Sequence, residues 1–222
     1  MILKLEAAFM VLPIVTSLIY QETSGFAFLI TIILCLAIGI PLTWKKPTRK
    51  AFYTKEGFVT VALSWIVLSI MGAIPFVISH SIPNPIDALF ETVSGFTTTG
   101  ASILNNVEAL PHCMLIWRSF THWIGGMGVL VFILSLLPLT GGYHMNLMKA
   151  ESPGPSVSKL APKVQSTAKI LYTIYFAMTV VQMILLLLGG MPLFDTICTA
   201  FGTAGTGGFG IKNDSMASYS PY

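Results

Sequence analysis

Charge is scarce in this sequence. Only 9% of its 222 residues are Asp, Glu, Lys or Arg, against about 25% in an ordinary soluble domain. Hydrophobic residues make up 54% of the chain and its mean hydropathy is +0.78. So little charge excludes a soluble globular fold and a nucleic-acid-binding surface; the net +3 is distributed by membrane topology, as set out below. Cysteine is also scarce. Cys35, Cys113 and Cys198 are scattered through apolar or flanking segments without CxxC or metal-ligand spacing, which excludes a disulfide framework and reads as small buried residues. His80, His112, His122 and His144 fall in unrelated positions with no nucleophile–base spacing, so an enzyme is not expected. What remains is an all-α integral membrane protein.

Long apolar runs supply the spans. They cover about 7–20, 26–44, 58–79, 114–139 and 169–188, which predicts about five membrane spans. Gly72 and Pro75 interrupt the outer end of the third. Between spans three and four lies Asp87 to Ser102, and after span five a second copy, Asp195 to Gly210, offset by 108 residues. Each copy begins as a short helix behind a proline (Pro85, Pro192) and ends in a Gly/Thr-rich stretch. Such an internal repeat is an architectural signal. A helix of about 13 residues is roughly 20 Å long, too short for a hydrocarbon core of about 30 Å. Non-helical backbone at that depth is tolerated only where protein or water surrounds it. The expected unit is therefore span, half-helix, re-entrant pore loop, span, with two such loops in the chain.

The loop composition fits one chemistry. Backbone carbonyls and threonine hydroxyls replace the water shell of a dehydrated cation, and a half-helix aims its negative C-terminal end at that point. The candidate cation-binding residues are Thr98, Thr99 and Gly100, matched at the 108-residue offset by Thr206, Gly207 and Gly208, with Thr97, Phe209 and Gly210 as supports. The plainer reading of each loop is a tight interhelical turn. Arg118 divides evenly between a role at a pore mouth, repelling cations or pairing with an acid, and snorkelling to the interface. His122 reads as a satisfied interior histidine. Gly125, Gly126 and Gly128 read as close helix packing rather than a nucleotide fingerprint. Glu91 and Asp87 are candidates for concentrating cations in an outer vestibule, and Asp87 and Asp195 equally for helix-terminus roles.

With the N-terminus cytoplasmic, ten of the twelve Lys and Arg fall on the inner side, including Lys45, Lys46, Arg49, Lys50 and Lys55. Only Arg118 and Lys212 fall outside, together with Asp87, Glu91, Glu108, Asp195 and Asp214. The chain divides into 1–57, two N-terminal spans and a basic loop; 58–139, a complete unit; 140–167, a cytoplasmic linker with three lysines; and 168–222, a second unit without its last span.

Three stretches carry a family resemblance: Ser94-Gly-Phe-Thr-Thr-Thr-Gly-Ala-Ser102, Trp117-Arg118 with Trp123-Ile-Gly-Gly-Met-Gly128, and Ala204-Gly-Thr-Gly-Gly-Phe-Gly-Ile211. Together they resemble the N-terminal half of Trk-type potassium uptake subunits, the TrkH/TrkG family, within the superfamily of Trk, Ktr and HKT transporters and the potassium-binding Kdp subunit. The two extra N-terminal spans are similar to the Trk type rather than the Ktr or Kdp types. The resemblance implies four units around one pore, potassium as transported ligand with no covalent cofactor, a plasma-membrane location, a homodimer, membrane lipid, and a cytoplasmic nucleotide-binding regulatory subunit of the TrkA type. Nucleic acid is not an expected partner. The chain holds one and a half units, so it reads as a fragment of a longer transporter or a truncated product. The competing readings are a Kdp-type subunit and a non-conducting membrane interaction protein.

Overall fold

The computed structural model describes residues 1–44, 54–126, 128 and 164–219. The basic cluster at 45–50, most of the 140–167 linker and the second half of the 114–139 span lie outside the described residues. Eight α-helices are described: α1 (Ile2–Phe9), α2 (Val11–Ile19), α3 (Gly25–Trp44), α4 (Thr54–Ile78), α5 (Pro85–Phe96), α6 (His112–Gly126), α7 (Val164–Leu188) and α8 (Leu193–Ala204). No strand occurs among the described residues.

Among the described residues, four stretches are long and apolar enough to cross a membrane: Ile2–Ile19, Gly25–Trp44, Phe58–Ile78 and Ala168–Leu188. At about 1.5 Å per residue each spans or nearly spans a hydrocarbon core. Their outward faces are apolar, as a lipid-facing surface requires: Ile33 and Leu42 on α3, Ile66 on α4, Phe176 and Leu185 on α7 are exposed.

Three details depart from the sequence expectations. The first span begins at Ile2, not at residue 7, and is broken at Met10 between α1 and α2. Pro13 explains the break: it has no N–H for the Phe9 carbonyl, and its ring crowds that turn. The third span runs straight through Pro75 to Ile78, with the Ser79 N–H still bonded to the Pro75 carbonyl at 3.0 Å. The helix of the fifth expected span, α7, opens at Val164, ahead of Lys169.

The centre of the fold is α6. From Cys113 to His122 every residue is buried, the pattern of a helix packed on all sides. Trp117 is its anchor. Its indole N–H donates to the Gly72 carbonyl of α4 at 3.0 Å, and its ring meets Phe28 of α3 and Phe96 of α5 edge-on, with centroids 5.9 and 6.2 Å away. On its other side α6 packs against α2 and α8.

The N-terminus of α6 is capped from a distance. Glu22, in the turn between α2 and α3, accepts the His112 and Cys113 N–H groups at 2.7 and 3.0 Å and faces the His112 ring at 2.9 Å. Tyr20 stacks on that ring, with centroids 3.9 Å apart. Burial pushes the Glu22 carboxyl up, but the two backbone N–H groups and the His112 side chain outweigh it and hold the acid below its usual 4.5. The contribution is thus present above pH 4.5 and fades as pH falls through the lower folded value. Glu22→Ala is expected to cost about 1 kcal/mol at neutral pH. Thermal midpoints in detergent should differ between mutant and wild type at pH 7 and converge in acid.

Candidate functional site

The two half-helices are congruent. Pro85–Phe96 and Leu193–Ala204 are each 12 residues long, so each is about 18 Å. Their endings match bond for bond. In the first, the Thr98 N–H donates to Gly95 and the Thr99 N–H to Ser94, at 3.1 and 3.0 Å. In the second, the Thr206 N–H donates to Thr203 and the Gly207 N–H to Gly202, both at 2.9 Å. This is the Schellman ending, which needs a left-handed residue. Thr98 and Thr206 occupy that position at φ 55° and 56°, a costly place for β-branched side chains. Gly100 and Gly208 repeat the match at φ +76° and +84°.

The helix starts differ. Asn84 caps α5, its side-chain oxygen accepting the Ile86 N–H at 3.0 Å. Pro192 opens α8 without a side-chain cap. Asp87 and Asp195 sit in the first turns, and Asp195 also accepts the Tyr219 hydroxyl at 2.9 Å. That hydroxyl is correspondingly harder to ionise, by burial first and the neighbouring Asp195 next.

The two loops meet. A methyl group placed on Gly100 would run into the Gly207 carbonyl oxygen, so only a residue without a side chain lets the first loop lie against the second. Thr97, Thr99, Thr206 and Gly208 are exposed along the open side of this junction, Thr98 and Gly100 are half-buried, and Gly207 and Phe209 are buried. The Thr97 hydroxyl is occupied, bonded to the Val93 carbonyl at 2.7 Å and to Thr99 Oγ1 at 2.8 Å.

Helix α6 serves both loops. Side chains at Gly125 would strike the Phe96 carbonyl, and at Gly126 the backbone of Gly205. These glycines therefore admit α6 to the ends of α5 and α8 together, the close packing expected of them. Gly128 accepts the Tyr172 hydroxyl at 3.1 Å.

Arg118 and Glu91 form the clamp behind the loops. Their side chains are 3% and 0% exposed. Arg118 Nε donates to Glu91 at 2.5 Å, and its guanidinium donates to the Gly210 carbonyl at 2.7 Å while lying 3.7 Å over the Phe209 ring. Glu91 also accepts the Ser102 hydroxyl and the Ile103 N–H, both at 2.9 Å. One ion pair thus holds the segment leaving each loop. This settles Arg118 as a pairing residue rather than a snorkelling one. It corrects the vestibule reading of Glu91, which is buried and committed.

His122 is also corrected. It is fully buried, but neither ring nitrogen has a hydrogen-bond partner. It stacks on Phe209, centroids 4.1 Å apart, and fills the space behind Gly205 and Gly207.

On the exposed end, Asn213 ties the loops again. Its side-chain oxygen accepts the Val107 N–H at 2.8 Å, its amide donates to Asn106 at 2.9 Å, and its backbone N–H donates to Glu108 at 3.0 Å. The three cysteines are buried free thiols. No cluster of three or more His, Cys, Asp or Glu suited to a metal occurs among the described residues.

These features define an all-α, multi-pass membrane protein with a duplicated helix–loop element held together by a buried ion pair. Residues 24–222 match the family profile described as TrkH, cation transport protein. The chain belongs to the TrkH family, whose members are transport proteins and not enzymes. It is 42% identical over 211 residues to the Trk system potassium uptake protein TrkH of Salmonella typhimurium, covering 93% of this chain and 44% of that protein. It is 37% identical over 214 residues to the Trk system potassium uptake protein TrkG of Escherichia coli K12, covering 95% and 44%. The crystal structure of the potassium transporter TrkH from Vibrio parahaemolyticus superposes with a TM-score of 0.80 at 31% identity, covering 99% of this chain and 44% of that one. The chain thus spans less than half the length of these relatives.

Proposed function

We propose that this chain forms one side of a channel-like path for dehydrated monovalent cations, potassium foremost, as the N-terminal half of a four-unit uptake transporter. The observation that carries this reading is the meeting of two congruent loops at Gly100 and Gly207. Thr98, Thr99 and Gly100 with Thr206, Gly207 and Gly208 supply oxygen ligands to the cation, supported by Thr97, Phe209 and Gly210. The likeness to potassium uptake proteins of the Trk system supports the ion assignment. The open side of the junction, with Thr97, Thr99, Thr206 and Gly208 exposed, is where the other units complete the ring.

In this reading the loops are re-entrant, five spans cross the plasma membrane, and the N-terminus and the 140–167 linker are cytoplasmic, where the linker meets a TrkA-type nucleotide-binding subunit. Membrane lipid surrounds a homodimer of the complete transporter. The boundaries at 57, 139 and 167 separate the N-terminal spans, the first unit, the linker and the second unit.

The test is a chimera in which this chain replaces the matching half of Escherichia coli TrkH, expressed in cells lacking other potassium uptake. Growth on low potassium and rubidium uptake are the expected result. A chimera that reaches the membrane, binds its regulatory subunit and carries no rubidium overturns the proposal.

A further inference from the structure

A buried acid lies outside this site. Glu6 of α1 is 1% exposed, and neither carboxyl oxygen has a hydrogen-bond partner. Neither ion pair among the described residues includes it. Its Oε1 stands 3.5 Å from where a methyl group on Gly72 of α4 would lie. The other neighbours of that point are Thr92 and Phe96 of α5, at 2.9 and 3.0 Å. Glu6 is therefore one packing layer behind the helix that ends in the first loop.

Among the described residues no ion pair balances a negative charge here; Lys4, on the same helix α1, is exposed and does not pair with Glu6. Helix α3 contributes one titratable group, the buried thiol of Cys35. Helix α2 and residues 58–78 of α4 contain no ionisable side chain. On α5, Thr92 and Phe96 face the shared Gly72, while Glu91 is held by Arg118. A bare carboxylate in such a place is strongly disfavoured, and the neutral acid is not.

We propose that Glu6 is a proton-binding site within the membrane domain, occupied at neutral pH, and that it reports proton occupancy to the α1–α4–α5 packing behind the first loop. This inference does not depend on the ion the protein carries. It also makes Glu6 a modification site for apolar carbodiimides. The acid O–H proton passes to one carbodiimide nitrogen, and the carboxylate oxygen bonds to the central carbon. With no water or amine at hand, the acyl group then moves from that oxygen to nitrogen. The product is an N-acylurea and nothing leaves.

Membranes from cells expressing the protein are treated at pH 7 with dicyclohexylcarbodiimide or with a water-soluble carbodiimide, and the peptide containing Glu6 is weighed by mass spectrometry. Label from the apolar reagent alone is expected. The infrared carbonyl band of a protonated carboxylic acid is expected in the wild type and lost in Glu6→Gln, with an unchanged melting temperature. An unlabelled Glu6 together with no acid band in the wild type overturns the proposal, whether or not the variant folds.

Discussion

Gly100→Asp is expected to bring rubidium flux through the chimeric transporter to background while leaving membrane insertion intact. Two costs act together. The glycine sits at φ +76°, where a substituted residue pays about 1–3 kcal/mol of backbone strain. Any Cβ there also overlaps the Gly207 carbonyl, a backbone atom with no side-chain freedom to yield. Since 1.4 kcal/mol is a factor of ten, that strain alone corresponds to a loss of about 5- to 150-fold. The aspartate adds a negative charge beside the Gly207 carbonyl oxygen. Gly100→Ala separates the contributions: it keeps the overlap and the strain without the charge, and should retain more flux than the aspartate variant. Wild-type rubidium flux in Gly100→Asp would remove Gly100 from the cation path.

Breaking the Glu91–Arg118 pair is expected to be the most destabilising single change. Removing one partner of a buried pair leaves the other charged and unsatisfied, at about 3–5 kcal/mol. Arg118→Met strands Glu91 and also frees the Gly210 carbonyl and the Phe209 face. Glu91→Gln strands the guanidinium. The double variant should cost less than the two singles added, by about 0.5–3 kcal/mol for residues in contact. Arg118→Lys is not a rescue, because one ammonium cannot present a planar fork to a carboxylate and a carbonyl together. Denaturation midpoints in detergent measure all four. Additive single costs would mean that the pair does not couple the two loops.

Much of the fold is legible in the sequence because the bilayer leaves few alternatives. Apolar runs of membrane length and the 108-residue repeat lead directly to α3, α4, α7 and the two half-helices. The paired Gly/Thr loops follow from repetition, and so does the role of Gly125 and Gly126, since small residues on a membrane helix admit a neighbour. What pairs with what is harder to read. Glu91 and Arg118 are 27 residues apart, and Arg118 reaches Gly210 across 92. Spacing encodes neither distance, although a lone cation and a lone acid in otherwise apolar segments do signal a partner. His122 misled for the opposite reason. A buried histidine is expected to find a hydrogen bond, and this one is placed by its flat face against Phe209. The start of α1 was obscured by Lys4 and Glu6, which look like an end to the apolar run; Glu6 is instead buried among helices.

The way α6 is seated also constrains motion. It is wedged by Gly125 and Gly126 against both half-helices, and Arg118 links Glu91 of the first half-helix to the segment leaving the second loop. Asn213 fastens the same two segments at the far end. With attachments at both ends and in the middle, the loops have no free hinge between them and travel as one body. In the proposed transporter, widening or closing of the path would then be taken up elsewhere, at the edge bearing the exposed Thr97, Thr99, Thr206 and Gly208, where whatever completes the ring would slide past a stationary wall.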